Sequence, residues 1–113
     1  SLVLVGLPEL NDRLALRRNR SLFSRLQRRL AISPLAPDDT VENVRTRLHK
    51  AGCDRELFTG DALAMLHEAA NGSLRDMDRL ATAALREAAR RKRKLVERDV
   101  LARVVDLETK EAA

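Results

Sequence analysis

Aromatic side chains are nearly absent. Phe23 and Phe58 are the only two among 113 residues, with no tyrosine or tryptophan, so a core must be assembled from leucine, valine, alanine and isoleucine. The single cysteine, Cys53, excludes a disulfide within the chain and points to a reducing compartment. No apolar run approaches the roughly 20 residues of a membrane span. No basic segment precedes an apolar stretch at the start, so it does not read as a signal peptide. These absences place the expected location in the cytoplasm, without a membrane partner. Glycine is scarce, and no glycine-rich phosphate loop occurs. His49 and His67 have no partners at metal-ligand spacing, and neither has Cys53. All three read as structural or exposed, and no metal site, Ser-His-Asp or Cys-His arrangement is expected.

What remains is rich in arginine, leucine, alanine and glutamate, a composition that favours helix. The formal net charge is +5, carried by 22 basic residues against 17 acidic ones, and arginine far outnumbers lysine. Such a balance suits phosphate groups, because guanidinium forks bind them bidentately.

The opening stretch "LVLV", Leu2 to Val5, has buried-strand character and runs into Gly6. Pro8 to about Arg18 reads as a short amphipathic helix with Pro8 in its first turn. Ser21 to Arg28 reads as a second, and "LAISPL" (Leu30–Leu35) as a brief extended piece ended by Pro34. Pro37 to about Ala51 is a stronger helix, with Val41, Val44, Leu48 and the stem of Arg45 recurring on one side and Gly52 as its stop. Thr59 caps a helix that buries Leu63, Met65, Leu66 and Ala70 and ends at Asn71-Gly72. Ser73 caps the longest helix, to about Lys92, with Leu74, Met77, Leu80, Ala81, Ala84, Leu85 and Ala88 at i, i+3, i+4, i+7 spacing. Glu97 or Arg98 opens a last helix with Val100, Leu101, Val104 and Val105. The composition shifts near Pro34–Pro37, where a domain boundary is expected.

Three arginine-bearing places stand out. Arg75 lies in the opening turn of the long helix, where a cation opposes the positive end of the helix dipole at a cost of a few tenths to about 1 kcal/mol. Either Asp76 and Asp78 offset that cost, or Arg75 faces an anionic ligand. Arg17 to Leu30 holds six arginines on short helices without matching carboxylates, a surface suited to phosphate or to an acidic partner. Arg90, Arg91, Lys92, Arg93 and Lys94 follow the long helix. They complement its negative end, and a run of five also fits contact with DNA.

In this order the pieces resemble AAA+ ATPases, in the branch that contains ExeA-type secretion ATPases and the transposition regulators TnsC and MuB. "LVLVGLPEL" is similar to the fourth core strand and following helix. "LFSRLQRRLAISPLAPDDTVENVRTRL" is similar to the middle portion, and "LFTGDALAMLHEAANGSLRDMDRLATAAL" to the helical lid with its sensor 2 motif. The resemblance implies a mainly α fragment: residues 1–35 as the remnant of a truncated α/β core, 36–107 as a four-helix lid, and 108–113 as a disordered tail. It implies that Arg25 is the arginine finger acting on a neighbouring subunit's nucleotide, with Arg28 or Arg29 in that role if the register slips. It implies that Arg75 is the sensor 2 arginine. The polar sensor 1 residue of the family is replaced by Leu7, which cannot orient water. The implied parent uses ATP and Mg2+, assembles with itself, and acts on DNA as a transposition or mobile-element regulator with a transposase as partner; an ExeA-type secretion ATPase is the alternative. The fragment itself is expected to hold no cofactor and to be inactive.

Two other readings compete. "ALAMLHEAANGSLRDMDRLATAAL" has the layout of a helix-turn-helix, although Asp76 and Asp78 would meet acidic DNA. A plain interaction bundle would need neither Arg25 nor Arg75.

Overall fold

The computed structural model describes residues 1–112 and divides into two compact units, residues 1–32 and 33–113. Among the described residues the order is α1 (Glu9–Leu14), a 3-10 turn (Arg17–Asn19), α2 (Arg20–Arg25), α3 (Pro37–Lys50), α4 (Gly60–Ala70), α5 (Leu74–Arg90) and α6 (Arg98–Ala112). The mainly helical class expected from composition is what forms.

The second unit is a four-helix bundle in which α4, α5 and α6 pack on one another and α3 leans on α4. Its local signals act as their chemistry dictates. Pro37 occupies the first turn of α3, and the Ala36 amide donates to Asp39 Oδ2 at 3.2 Å, closing an orphan donor at the helix start. Thr59 and Ser73 accept from the amides of Ala62 and Asp76 and cap α4 and α5. Asn71 adopts the left-handed conformation that ends α4. The core is Val44, Phe58, Ala62, Leu63, Leu66, Ala70, Met77, Leu80, Ala84, Ala88, Val96, Val100, Leu101 and Val104.

The turn between α4 and α5 is tight. Gly72 has φ +76°, and a Cβ there would lie 2.7 Å from Pro34 Cβ. The Leu35 amide donates to the Gly72 carbonyl at 3.0 Å. This bond, with Leu35 packed on the core, ties residues 33–35 to the bundle, whereas the sequence places them with the preceding unit.

Other expectations need correction. Leu2–Val5 and Leu30–Leu35 form no strand, because no neighbouring chain among the described residues satisfies their ladder groups. The β-bridge that does form joins Phe58 and Val96, with Thr59 N donating to Val96 O at 3.1 Å and Val96 N to Leu57 O at 2.6 Å. It buries an aromatic in a core expected to be aliphatic. Leu74 heads the apolar pattern of α5 yet is 48% exposed. Arg45 contributes no stem to the core; it pairs with Glu56 in solvent at 2.7 Å. The last helix passes Leu107 and reaches Ala112, instead of fraying into a tail at 108. Half-buried Glu108 meets Arg79 of α5, and the Thr109 hydroxyl donates to the Val105 carbonyl at 2.9 Å. Residue 113 lies outside the described residues.

The first unit is of another kind. Its helices have six residues each, and no side chain in it is buried. Leu10, Leu14, Phe23 and Leu26 are half-buried, while Val5 and Ile32 are 91% and 96% exposed. Where α1 was expected to continue to Arg18, it stops at Leu14 and Leu16 is extended. The Asn19 side-chain amide then donates to the Arg13 carbonyl at 2.7 Å, satisfying an orphan acceptor of the helix end. Likewise α2 ends at Arg25, short of Arg28, with Leu26 extended.

Candidate functional site

Within the bundle, the carboxylates beside Arg75 are already engaged. Asp76 is paired with Arg79, with Nη2 to Oδ1 at 3.4 Å, and Asp78 with Arg47 of α3 at 2.8 Å. Arg75 is exposed in the first turn of α5, and no carboxylate among the described residues pairs with it. The offset by Asp76 and Asp78 therefore does not take the form of a direct ion pair. A guanidinium stands at the positive end of a 17-residue helix, and among the described residues no carboxylate lies within pairing distance to answer the local repulsion there.

The basic run at the other end of α5 has the opposite fate. Arg90 and Arg91 both hold Glu87 Oε1, at 2.7 and 2.9 Å, while Arg103 of α6 lies 3.9 Å from the same oxygen. Arg93 forks to Glu97 at 3.0 Å and to Asp99 at 2.8 Å. These guanidinium hydrogen bonds hold the Glu87 and Asp99 carboxyls below their ordinary range and raise the already high Arg93 value. Lys92 takes φ 58° at the helix end, and Lys92 and Lys94 are exposed. Three of the five cations are thus paired, Arg90 and Arg91 with Glu87 within the end of α5 and Arg93 with the start of α6, and the run does not present five free charges.

Arg25 closes α2 in the first unit and is exposed, as is Arg28. Arg29 lies over the Phe23 ring, its Cζ 3.8 Å from the centroid, and donates to the Phe23 carbonyl at 3.3 Å. Leu7, at the sensor 1 position of the resemblance, is 76% exposed.

The histidines are held by neighbours. His67 Nδ1 shares a 2.8 Å hydrogen bond with the fully buried Thr40 hydroxyl, joining α4 to α3. His49 Nδ1 is 2.5 Å from Asp54 Oδ1 on the surface. Among the described residues, no group of three His, Cys, Asp or Glu side chains converges as a metal would need, and no helix is long and apolar enough to cross a membrane. An open groove of about 240 Å³ runs between α3 and the segment before α4, floored by Val44, Leu48, Leu57, Phe58 and Leu63, with the Cys53 thiol at its side. Sequence patterning misses it. Its one signal is an aromatic, Phe58, just ahead of the Thr59 cap.

No family model matches this chain, and no solved structure does. Among curated proteins, General secretion pathway protein A of Aeromonas hydrophila is 37% identical over 99 residues, a stretch that takes in 87% of this chain. The chain spans 18% of the length of that relative.

Proposed function

We propose that this chain is a segment of an AAA+ ATPase of the secretion-pathway A kind, in which the bundle is the lid and Arg75 contacts the phosphates of a nucleotide bound by its own subunit. The observation that carries the reading is the unpaired Arg75 at the start of α5, with both adjacent carboxylates occupied elsewhere. The likeness to General secretion pathway protein A supports this branch of the resemblance, and nothing in it supports transposition. In this reading the groups of this chain that meet the nucleotide are guanidiniums. A permanently charged fork aimed at a phosphoryl group stabilises charge without moving a proton. In this reading the metal and the phosphate cradle are supplied by other parts of the parent.

In this reading Arg25 reaches a neighbouring subunit's nucleotide when the parent oligomerises. The test uses the full-length protein that carries this chain. Arg25→Ala lowers ATP turnover by about a hundredfold or more, and Arg75→Ala by at least about tenfold, both with unchanged helix content. Arg86→Ala, an exposed change further along α5, leaves turnover within about twofold. Wild-type turnover in both arginine variants, or a reading frame with no GxxxxGK[ST] sequence ahead of Ser1, overturns the proposal.

One observation favours a second reading, in which the parent acts on DNA. The net positive charge is confined to the first unit. Residues 1–32 hold seven arginines against Glu9 and Asp12, whereas residues 33–113 hold fifteen cations and fifteen carboxylates.

A further inference from the structure

The arginines of the first unit lie at 13, 17, 18, 20, 25, 28 and 29, and no aspartate or glutamate occurs between Arg13 and Pro37. All seven are exposed. The ion pairs of the described residues all belong to the second unit. The unit contains no lysine, so its cations are all of the kind that grips phosphate with a planar fork rather than as a point charge. The short helices fold this charge together. Asn19 bonds back to the Arg13 carbonyl, bringing the end of α1 against the turn that carries Arg17 and Arg18 and leads into Arg20. Seven like charges on a stretch of 17 residues, with no carboxylate after Arg13, repel one another until a polyanion neutralises them.

We infer that Arg13, Arg17, Arg18 and Arg20 form a contact surface for the phosphodiester backbone of nucleic acid, indifferent to base sequence. The backbone is the target because the unit has one aromatic, half-buried Phe23, and Arg29 already lies over its ring, which leaves no row of aromatics on which successive bases could stack. Six-residue helices with no carboxylate partner fit a sequence-independent phosphate contact. They lack the long amphipathic face of an interfacial membrane helix. The surface differs from the Arg90–Lys94 run, three of whose cations are neutralised. It uses neither Arg25 nor Arg75, so its failure and the failure of the nucleotide reading are separable.

The test measures binding of the whole 113-residue chain to two unrelated fluorescent duplexes, from about 50 to about 200 mM salt. The chain binds both duplexes alike. The variant R13Q/R17Q/R18Q/R20Q binds at least about tenfold more weakly and loses about 3 to 4 from the slope of log affinity against log salt. The charge-retaining variant R13K/R17K/R18K/R20K keeps the wild-type salt slope and binds more tightly than the glutamine variant, though more weakly than wild type because the forks are lost. Lys92→Gln with Lys94→Gln stays within about twofold. Several results overturn the inference: no duplex binding at low salt, wild-type affinity in the glutamine variant, or a lysine variant as weak as the glutamine one. So does a loss that follows Lys92 and Lys94 instead, or retention on phosphatidylserine vesicles without duplex binding.

Discussion

The two units of this chain treat the same residue type in contrary ways. In the bundle, Arg47, Arg79, Arg90, Arg91 and Arg93 each meet a carboxylate, and cations and anions balance. In residues 1–32, seven exposed arginines meet none among the described residues. The apolar residues divide the same way. The bundle buries fourteen of them in one core, whereas the first unit buries no side chain and leaves Val5, Leu30 and Ile32 in solvent. A segment of about 30 residues lies below the size at which a hydrophobic core alone holds a fold. The bundle therefore carries the stability, and the first unit carries the surface.

The sharpest way to break this contrast is a pair of truncations. Leu101→Ala removes a fully buried side chain shared by the packed helices and is expected to cost about 2 to 5 kcal/mol. Ile32→Ala, at 96% exposure, is expected to change stability by less than about 0.5 kcal/mol. Urea unfolding followed by circular dichroism reads both, and comparable losses would end the division of labour. A smaller effect is expected at the α4–α5 turn. Gly72→Ala needs a positive φ and meets Pro34 at 2.7 Å, so it costs about 1 to 3 kcal/mol. Gly52→Ala, at φ +91° with nothing within 4 Å, bears the backbone cost alone, about 1 kcal/mol. Equal losses would show that residues 33–35 are not pinned to the bundle.

The gentlest effect concerns acid. Glu87 and Asp99 give up their protons more readily in the folded chain, because Arg90 and Arg93 donate to their carboxylates. The unfolded chain then binds more protons in acid. The stabilisation is complete above the unfolded-chain values of about 4.3 and about 3.9 and is lost as pH falls through the lower folded values. The urea midpoint should hold level above that window and drop below it, with a shallower drop in Glu87→Gln. An identical acid profile in that variant would remove Glu87 from the account.

Much of the bundle is legible residue by residue. Pro37, Thr59, Ser73, Gly52 and Asn71 act within one helical turn; α3 and α4 start and stop, and α5 starts, where those residues imply. Legibility fails where a partner distant in sequence decides. A strand requires a neighbour, so Leu2–Val5 cannot be one alone. Leu74 keeps the apolar period of α5 yet lies beyond the helices that would cover it. Phe58 enters the core because the backbone beside it bonds to Val96, and α6 persists past Leu107, where Glu108 finds Arg79.

The sequence by itself determined that the chain is helical, where most of the bundle's turns fall, and that arginine dominates its charge, since each depends on local geometry or plain composition. Only the tertiary structure decided which arginines are free. A charge is neutralised by whatever lies within a few ångströms of it, and folding alone sets Arg47 against Asp78, Arg79 against Glu108 and Arg93 against Asp99 while leaving Arg75 without a carboxylate partner among the described residues.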